Sequence, residues 1–332
     1  MRIRIASFTL RGARLAKDLA EELKRQGEDA RAYAAPKYAG EAGLAPTGGA
    51  SAWTREHFDG ADALVFVGAT GIAVRAIAPH LRSKLTDPAV VSLDEAGRFA
   101  VSLVSGHVGG ANRLAARIAG ITGGQAVVST ATDVNGLFSV DDWIARKGMA
   151  MRNPRAVRTL AGTLLEGGRI GLSSGFPIIG ALPQGVELVE SGKAGLYVGI
   201  YEKSPFEATL TAVPRAVILG LGCRKGMSEE GIAAAVEQVL RENHVFPESL
   251  SEAASIDLKA REQGLLDFCA HRGLPVRFYD AKTLSQVPGT FTPSERVLRV
   301  TGVDNVCERA AVCSGGRLIV KKTAHDGVTV AL

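Results

Sequence analysis

Residues 63–71 read ALVFVGATG, an apolar run that ends in a glycine turn. Five consecutive apolar residues fit a strand that is buried on both faces of a parallel sheet, and the glycine turn opens a predicted helix. Upstream, Leu15, Leu19 and Leu23 recur every four residues and predict the apolar face of a helix that ends at Gly27. This alternation of strands and helices predicts an α/β fold with a mainly parallel sheet.

Similar patterns along the 332 residues divide the chain into three predicted domains. Residues 1–135 form an N-terminal α/β domain with glycine-rich loops, and residues 136–213 form a small middle α/β domain. Residues 214–332 form a C-terminal α/β domain, where a strand at 216–219 leads through a glycine loop into a helix that begins at Ser228. We therefore expect a three-domain α/β chain, with mainly parallel sheets in its N-terminal and C-terminal domains.

Three further expectations concern short segments. Residues 36–51 are rich in Pro, Gly and Ala and predict a loop or insertion, whereas residues 318–321 predict a strand. Residues 171–175 read GLSSG, which matches the G-x-S-x-G pattern of a nucleophile elbow. That motif needs a helix directly after the serine, and Pro177 disfavours one, so we interpret the segment as a turn between strands.

The composition is that of a packed globular protein, with 46% hydrophobic and 22% charged residues. The longest stretch without a charge or a turn-forming cluster covers residues 63–74, well short of the ~20 residues that span a bilayer. The charged start of the chain also lacks the apolar core of a signal peptide. We therefore expect a cytoplasmic protein that is neither exported nor inserted in a membrane.

The net charge of +5 is spread along the chain, and no run of basic residues is longer than two. Surfaces that bind nucleic acid usually combine clustered cations with aromatic stacking platforms, and aromatic residues make up only 5% here. The distribution argues against nucleic acid and membrane partners. It favours an enzyme that captures a small molecule rich in carboxylates.

Cysteine and glycine patterns exclude several common sites. None of the four cysteines lies in a C-x-x-C pair, so we expect neither a disulfide nor a structural metal; the cysteines are Cys223, Cys269, Cys307 and Cys313. Residues 220–226 read GLGCRKG, which is glycine-rich but differs from a P-loop, and no G-x-G-x-x-G follows a predicted strand. A nucleotide-dependent transferase or oxidoreductase is therefore disfavoured.

Residues 105–112, SGHVGGAN, are the stretch most suited to chemistry. Their glycines allow close approach of a ligand, and His107 follows a predicted strand at the edge where open α/β sheets bind ligands. Residues 130–133, TATD, end the next strand at the same predicted edge, which would bring Asp133 near His107. Taken alone, His107 fits a structural glycine turn and Asp133 fits a helix cap or turn. Two polar clusters at one edge strengthen the case for a shared site, and the structural interpretations of both residues stay open.

A related pattern follows the strand at 63–67. Gly68, Thr70 and Gly71 form the turn into the helix, and Arg75 lies about one turn inside it. These residues suit a binding site for an anion, and ordinary strand–helix packing with a solvated Arg75 explains them equally well.

Several of these stretches together resemble the cobalt-precorrin-5A hydrolase family of anaerobic cobalamin biosynthesis. The resemblance spans all three predicted domains and is weakest over residues 136–213. It rests on residues 68–79 (GATGIAVRAIAP), 87–90 (DPAV), 105–112, 130–133, 220–226, 254–259 (ASIDLK) with Glu262, 301–303 (TGV) and 306–308 (VCE).

The resemblance implies a hydrolase that acts on a carbon–carbon bond. It implies that the lactone of cobalt-precorrin-5A is hydrolysed, that acetaldehyde leaves and that cobalt-precorrin-5B remains. The substrate is a small corrin precursor that carries its own cobalt, so no cofactor is implied. A homo-oligomer and transient contacts with neighbouring pathway enzymes remain open.

Roles for individual residues are our hypothesis. We expect His107 to act as the base and Asp133 to orient it or share the proton transfer. Backbone N–H groups near Gly109 and Gly110 would stabilise developing negative charge. Arginine and lysine side chains would bind peripheral carboxylates. The residues expected to contact substrate are Gly68, Thr70, Gly71, Arg75, Ser105, Gly109, Gly110, Asn112, Thr132, Arg224 and Lys225. The alternative is a non-catalytic carrier of tetrapyrrole intermediates in the same pathway.

Overall fold

The computed structural model describes residues 1–84 and 86–332. The chain forms two compact units. The first contains Met1–Lys147, Ala161–Arg169 and Pro183–Gly185, and the second contains Gly148–Leu160, Ile170–Leu182 and Val186–Leu332.

The first unit is built on one seven-stranded sheet in the order β3-β2-β1-β4-β5-β6-β7. Its strands are β1 (Arg2–Ser7), β2 (Asp29–Ala34), β3 (Ala45–Pro46), β4 (Ala63–Val67), β5 (Ala89–Leu93), β6 (Phe99–Val104) and β7 (Gln125–Val127). Its helices are α1 (Leu10–Arg25), α2 (Pro36–Ala42), α3 (Ala50–His57), α4 (Thr70–Ile77), α5 (Ala111–Thr122), α6 (Ala131–Val134) and α7 (Val140–Arg146), with a 3₁₀ turn at Ala78–His80.

Helices cover both faces of this sheet. All five residues of the central strand β4 are buried, as its apolar run predicts. Leu19 of α1 and Ile118 of α5 pack in one core cluster with sheet residues. Trp53 of α3 and Ile77 of α4 pack in a second cluster with Phe66. The fold therefore buries β4 between two layers of helices.

The direction of the sheet reverses between β5 and β6. Strands β1 to β5 run parallel, whereas β6 pairs with β5 antiparallel and β7 follows β6 in parallel. The carboxylate of Asp94 accepts the backbone N–H groups of Ala96 and Phe99, and Gly97 takes a positive φ of 73°, which closes a tight hairpin. Consequently β6 and β7 end at the edge of the sheet where β4 and β5 begin.

The second unit contains two five-stranded sheets. The order of one is β10-β9-β11-β12-β8 and that of the other is β15-β14-β13-β17-β16. In the former, only β8 runs antiparallel to its neighbour; in the latter, β13 to β15 are parallel and β16 and β17 are antiparallel.

The remaining elements complete the chain. The strands are β8 (Ala150–Arg152), β9 (Ile170–Ser174), β10 (Val186–Leu188), β11 (Gly192–Val198), β12 (Phe206–Val213), β13 (Val217–Cys223), β14 (Leu250–Ile256), β15 (Val276–Tyr279), β16 (Thr323–His325) and β17 (Val328–Ala331). The helices are α8 (Ala156–Leu165), α9 (Glu229–Glu242), α10 (Gln263–His271), α11 (Ala281–Ser285), α12 (Glu295–Thr301) and α13 (Cys307–Cys313), with 3₁₀ turns at Pro247–Ser249 and Asp257–Lys259.

The predicted multi-domain α/β class with mostly parallel sheets is confirmed. Each predicted domain range, 1–135, 136–213 and 214–332, contains the strands of one sheet. Residues 136–147, with α7, belong to the first compact unit. The boundaries of the three ranges stay a prediction.

Three local expectations were wrong. Residues 36–51 contain α2, β3 and the start of α3, because Pro36 occupies the first turn of a helix that Gly43 ends in a left-handed conformation. Most of the GLSSG segment lies in β9, where Ser174 bonds the backbone of Phe176. Residues 318–321 precede β16 and β17 rather than forming a strand.

Among the described residues, no helix combines the length and the apolar character needed to cross a membrane.

Candidate active site

The loop between β6 and α5 carries His107. Ser105 adopts a left-handed backbone with φ of 57°, and a Cβ atom on Gly109 would lie 2.4 Å from the Ser105 Cβ. Because such contacts are far below van der Waals distance, the loop requires glycine at 109. The backbone N–H groups of Gly110 and Ala111 bond back to the carbonyl oxygens of His107 and Ser105. This compact turn holds the imidazole at the end of β6.

His107 and Asp133 meet at one edge of the sheet, as the strand pattern predicts. The His107 Nε2 atom lies 2.7 Å from Asp133 Oδ2. Asn112 donates from Nδ2 to the same oxygen at 3.0 Å, and its Oδ1 accepts a hydrogen bond from Ser102 Oγ at 2.7 Å. Thr132 Oγ1 lies 3.4 Å from His107 Nε2. The carboxylate of Asp133 is therefore held by two side chains, while 39% of its own side chain stays exposed.

A second carboxylate faces the other ring nitrogen of His107. Asp141 Oδ1 lies 3.3 Å from His107 Nδ1, and Ser139 donates a hydrogen bond to the same Asp141 oxygen at 3.0 Å. The Asp141 side chain is only 8% exposed. Asp141 was not predicted as a site residue, because it lies beyond the predicted domain boundary in a segment, SVDD, that is typical of an ordinary helix start. One feature of the sequence could have identified Asp141: it lies on the helix that directly follows Asp133 along the chain.

These two carboxylates control the charge on the imidazole. The hydrogen bond with Asp141 is the largest cause that raises the pKa of His107 to about 9; burial opposes the rise and Asp133 adds to it. Asp133 is the nearer partner, yet Asp141 acts more strongly because its greater burial leaves the interaction less screened by water. Burial is the largest single influence and acts to raise the pKa of Asp141, but the hydrogen bond and charge of His107, together with the hydrogen bond from Ser139, outweigh it and the pKa is lowered.

Protonation of His107 changes the role expected for it. With a pKa of about 9, the ring carries a proton on both nitrogens at neutral pH. An imidazolium donates a proton and does not accept one, so Asp133 is the better-placed base. The Gly110 N–H, expected to face the substrate, donates to the His107 carbonyl at 2.9 Å and serves the loop instead.

The structure separates the predicted binding residues of the first unit into two groups. Ser105, Gly109, Gly110, Asn112 and Thr132 surround His107. Gly68, Thr70, Gly71 and Arg75 follow the carboxyl end of β4, at the opposite edge. The hairpin between β5 and β6 causes this separation, and the length of β4 alone puts the edges roughly 13 Å apart.

Within each group, the predicted binding side chains differ in whether they already have a partner in the protein. Thr70 Oγ1 lies 3.1 Å from Ser92 Oγ, so its hydroxyl is used within the sheet edge. Arg75 folds back over its own helix, with Nη1 3.6 Å from where a Gly71 Cβ would lie. The Ser105 Oγ atom is buried and has no hydrogen-bond partner within the described part of the chain.

Arg224 and Lys225 lie in the second unit, in the loop after β13. The Arg224 backbone N–H donates to Gly327 at 2.9 Å, and its side chain packs where a Gly327 Cβ would be. Glu262 fixes the end of this loop, because its Oε1 accepts the Gly226 N–H at 2.5 Å and its Oε2 pairs with Lys259 at 3.0 Å. The loop therefore has a defined shape that presents a basic pair.

Glu308, a member of the VCE motif, has a structural place. It is 0% exposed and accepts four hydrogen bonds, from the backbone N and Oγ1 of Thr292, from Asn305 Nδ2 and from the backbone N of Lys322. Just before it, the carbonyl of Cys307 lies only 1.9 Å from where a Gly220 Cβ would lie, so α13 packs directly on β13. This part of the motif holds the fold together.

The four cysteines, Cys223, Cys269, Cys307 and Cys313, are free thiols. Within residues 1–84 and 86–332, no group of three or more His, Cys, Asp or Glu side chains has a geometry that could hold a metal ion.

Two family models match the chain in the order expected. The cobalamin synthesis G N-terminal model covers residues 52–133 and the cobalamin synthesis G C-terminus model covers residues 217–332. The first of these ranges includes His107 and ends at Asp133.

Curated relatives match over most of their length. The cobalt-precorrin-5A hydrolase of Salmonella typhimurium is 33% identical over 308 residues, which are 88% of this chain and 88% of that protein. The cobalt-precorrin-5A hydrolase of Priestia megaterium is 28% identical over 298 residues, which are 83% of this chain and 79% of that protein. The crystal structure of a cobalamin biosynthesis protein G homolog from Sulfolobus solfataricus matches with a TM-score of 0.44 and 21% identity, and the match covers 99% of this chain and 96% of that one. The two family models and the Salmonella relative confirm the resemblance seen in the sequence, and the chain belongs to the cobalt-precorrin-5A hydrolase family of cobalamin biosynthesis.

Proposed function

We propose that the protein hydrolyses the lactone of cobalt-precorrin-5A and releases acetaldehyde, leaving cobalt-precorrin-5B. The observation that carries this proposal is the imidazolium–carboxylate pair of His107 and Asp133, 2.7 Å apart. Asp133 is partly exposed, so a water molecule and a substrate can reach it. Relatives named for this activity support the choice of substrate.

Ring opening uses both members of the pair. The Asp133 carboxylate takes a proton from water as the water oxygen attacks the lactone carbonyl carbon. The bond between that carbon and the ring oxygen breaks, and the departing oxygen receives the proton of the His107 imidazolium. A carboxylic acid and a hydroxyethyl group result, and the added water accounts for all new atoms.

Carbon–carbon cleavage follows from the same positions. His107, now neutral, takes the proton back from the hydroxyl group. The oxygen electrons form the carbonyl of acetaldehyde as the carbon–carbon bond breaks, and the bonding pair stays on the conjugated macrocycle. His107 ends the cycle protonated, as its two carboxylate neighbours favour, and Asp133 releases to solvent the proton that it took from water, so both groups return to their starting state.

Carboxylates on the macrocycle match the basic groups proposed for binding. Arg224 and Lys225, the basic pair of the loop after β13, are the proposed carboxylate-binding groups, whereas Arg75, at the sheet edge opposite His107, is no longer one of them. The cobalt enters as part of the substrate, so the proposal needs no cofactor. The proposed partner is thus a small corrin precursor in the cytoplasm, with no role for nucleic acid or membrane.

The decisive experiment measures acetaldehyde released anaerobically from cobalt-precorrin-5A. We expect His107→Gln and Asp133→Asn to lower kcat by roughly 100-fold or more, the usual contribution of a positioned acid or base. Asp142→Asn serves as the matched control, because Asp142 pairs with Arg113 and Arg146 rather than with His107.

The outcomes separate enzyme from carrier. Turnover by the wild type that both site variants lose supports the proposal, provided that both still bind the pigment. Binding without acetaldehyde from the folded wild type would favour the carrier, and equal turnover in all variants would remove His107 and Asp133 from the chemistry.

A further inference from the structure

We infer that Asp141 is a positioning residue for this reaction: it holds the Nδ1 side of His107 and thereby directs the Nε2–H toward Asp133 and the substrate. This inference rests on the proposed function and adds to it a residue outside both matched family ranges.

The geometry gives Asp141 no direct access to substrate. Its side chain is 8% exposed, against 39% for Asp133, and its Oδ1 atom faces His107 Nδ1 at 3.3 Å. An ionised carboxylate only accepts hydrogen bonds, so the Nδ1 atom that faces it keeps its proton. Asp141 therefore acts through the ring of His107.

Ser139 fixes the carboxylate of Asp141. Ser139 occupies the N-cap position of α7, where a serine hydroxyl usually accepts a bond from the helix backbone. Here the hydroxyl makes no capping bond and donates to Asp141 Oδ1 at 3.0 Å. The helix start gives up its usual cap, and the carboxylate gains a fixed orientation.

The electrostatic surroundings of His107 come from two carboxylates on two elements. Asp133 lies on α6 and Asp141 on α7, and these are the charged groups that raise the pKa of the ring. The next residue, Asp142, pairs with Arg113 and with Arg146 at 3.1 Å. Adjacent aspartates on one helix therefore have separate partners, which makes Asp142 a natural control.

Loss of the Asp141 charge has two expected consequences. The pKa of His107 should fall from about 9 toward the ordinary value of 6.5, because its largest stabilising partner is gone. The alkaline limb of the kcat profile should move to lower pH with it, since the ring must be protonated to donate to the departing oxygen.

The test titrates His107 by NMR in protein carrying isotope-labelled histidine, with His107→Gln identifying the signal. In Asp141→Asn we expect the midpoint to fall by about one pH unit or more, and kcat to fall on the order of tenfold or more with KM little changed. Asp142→Asn should leave both the titration and kcat as in the wild type.

A wild-type His107 titration in Asp141→Asn would overturn the inference. If that variant does not fold, Asp141→Glu decides: a charge kept at a shifted position should preserve the raised pKa but lower kcat, and wild-type kcat would contradict positioning. The titration needs no substrate. It therefore distinguishes failure of this inference from failure of the proposed reaction.

Discussion

Each unit of the protein buries a carboxylate, and the two have different kinds of partners. Glu308 in the second unit is 0% exposed and accepts from two backbone N–H groups, a hydroxyl and an amide. Asp141 in the first unit is 8% exposed and accepts from a hydroxyl, but its other partner is the titratable ring of His107.

The difference in partners gives Glu308 a structural role and Asp141 a role in the proposed reaction. The donors around Glu308 are neutral, so the carboxylate joins three chain segments without any group that changes charge near neutral pH. Asp141 stabilises a proton that the proposed reaction moves. Glu308 lies in a motif shared with the family and Asp141 does not, so membership in a motif does not distinguish the two roles.

The largest effect on stability should come from Glu308→Ala. We expect the free energy of unfolding to fall by roughly 3–5 kcal/mol, because one buried and three partly buried hydrogen bonds lose their acceptor at once. Urea unfolding followed by circular dichroism measures this loss, while fluorescence of Trp53 and Trp143, both in the first unit, reports that unit separately. The exposed Glu295→Ala is the matched control, and equal stability of the two variants would refute the structural role.

A smaller effect should appear as pH dependence of the first unit. The pKa of His107 is raised from 6.5 to about 9, so its contribution is complete below pH 6.5 and is lost as the pH rises through 9. The shift corresponds to roughly 3 kcal/mol. Unfolding followed by tryptophan fluorescence at these two pH values should show the loss in the wild type and not in His107→Gln; a similar slope in both would assign it to other groups.

The smallest effect should follow Ser139→Ala. Removing a hydroxyl that donates to a carboxylate at 3.0 Å should reduce the stability of the first unit by about 1 kcal/mol. It should also lower the His107 midpoint by less than Asp141→Asn does, because the charge remains. If the His107 midpoint shifted more in Ser139→Ala than in Asp141→Asn, the Asp141 charge would not be the main cause of the raised pKa.

The meeting of His107 with Asp133 was predicted from sequence, and their isolation from Arg75 was not. Two successive strands with polar ends, β6 and β7, run parallel and bring their ends together. The turn at Asp94 and Gly97 makes β6 antiparallel to β5, because parallel neighbours need a crossover of about a dozen residues or more, and the expectation that both groups of residues bind one substrate overlooked this consequence.

Charge on the site could not be predicted either. A sequence shows that a histidine is present, but its pKa depends on which carboxylates the fold brings to its two nitrogens. In the sequence, Asp141 and Asp142 are both typical of the first turn of a helix. The sequence does not indicate which of the two side chains is buried against His107. The α2 helix was missed for a related reason: Pro36 and Gly43 were read as loop residues, although they mark the ends of a helix.

The close packing of α13 on β13 also provides a chemical probe of local opening in this part of the protein. Cys307, the first residue of α13, is buried, and burial raises the pKa of its thiol to about 11, so almost no reactive thiolate forms while the helix is packed on the sheet. Its carbonyl faces Gly220 and its neighbour is Glu308. Alkylation of the Cys307 thiol therefore requires local opening of this helix. The alkylation rate reports how often the helix separates from the sheet.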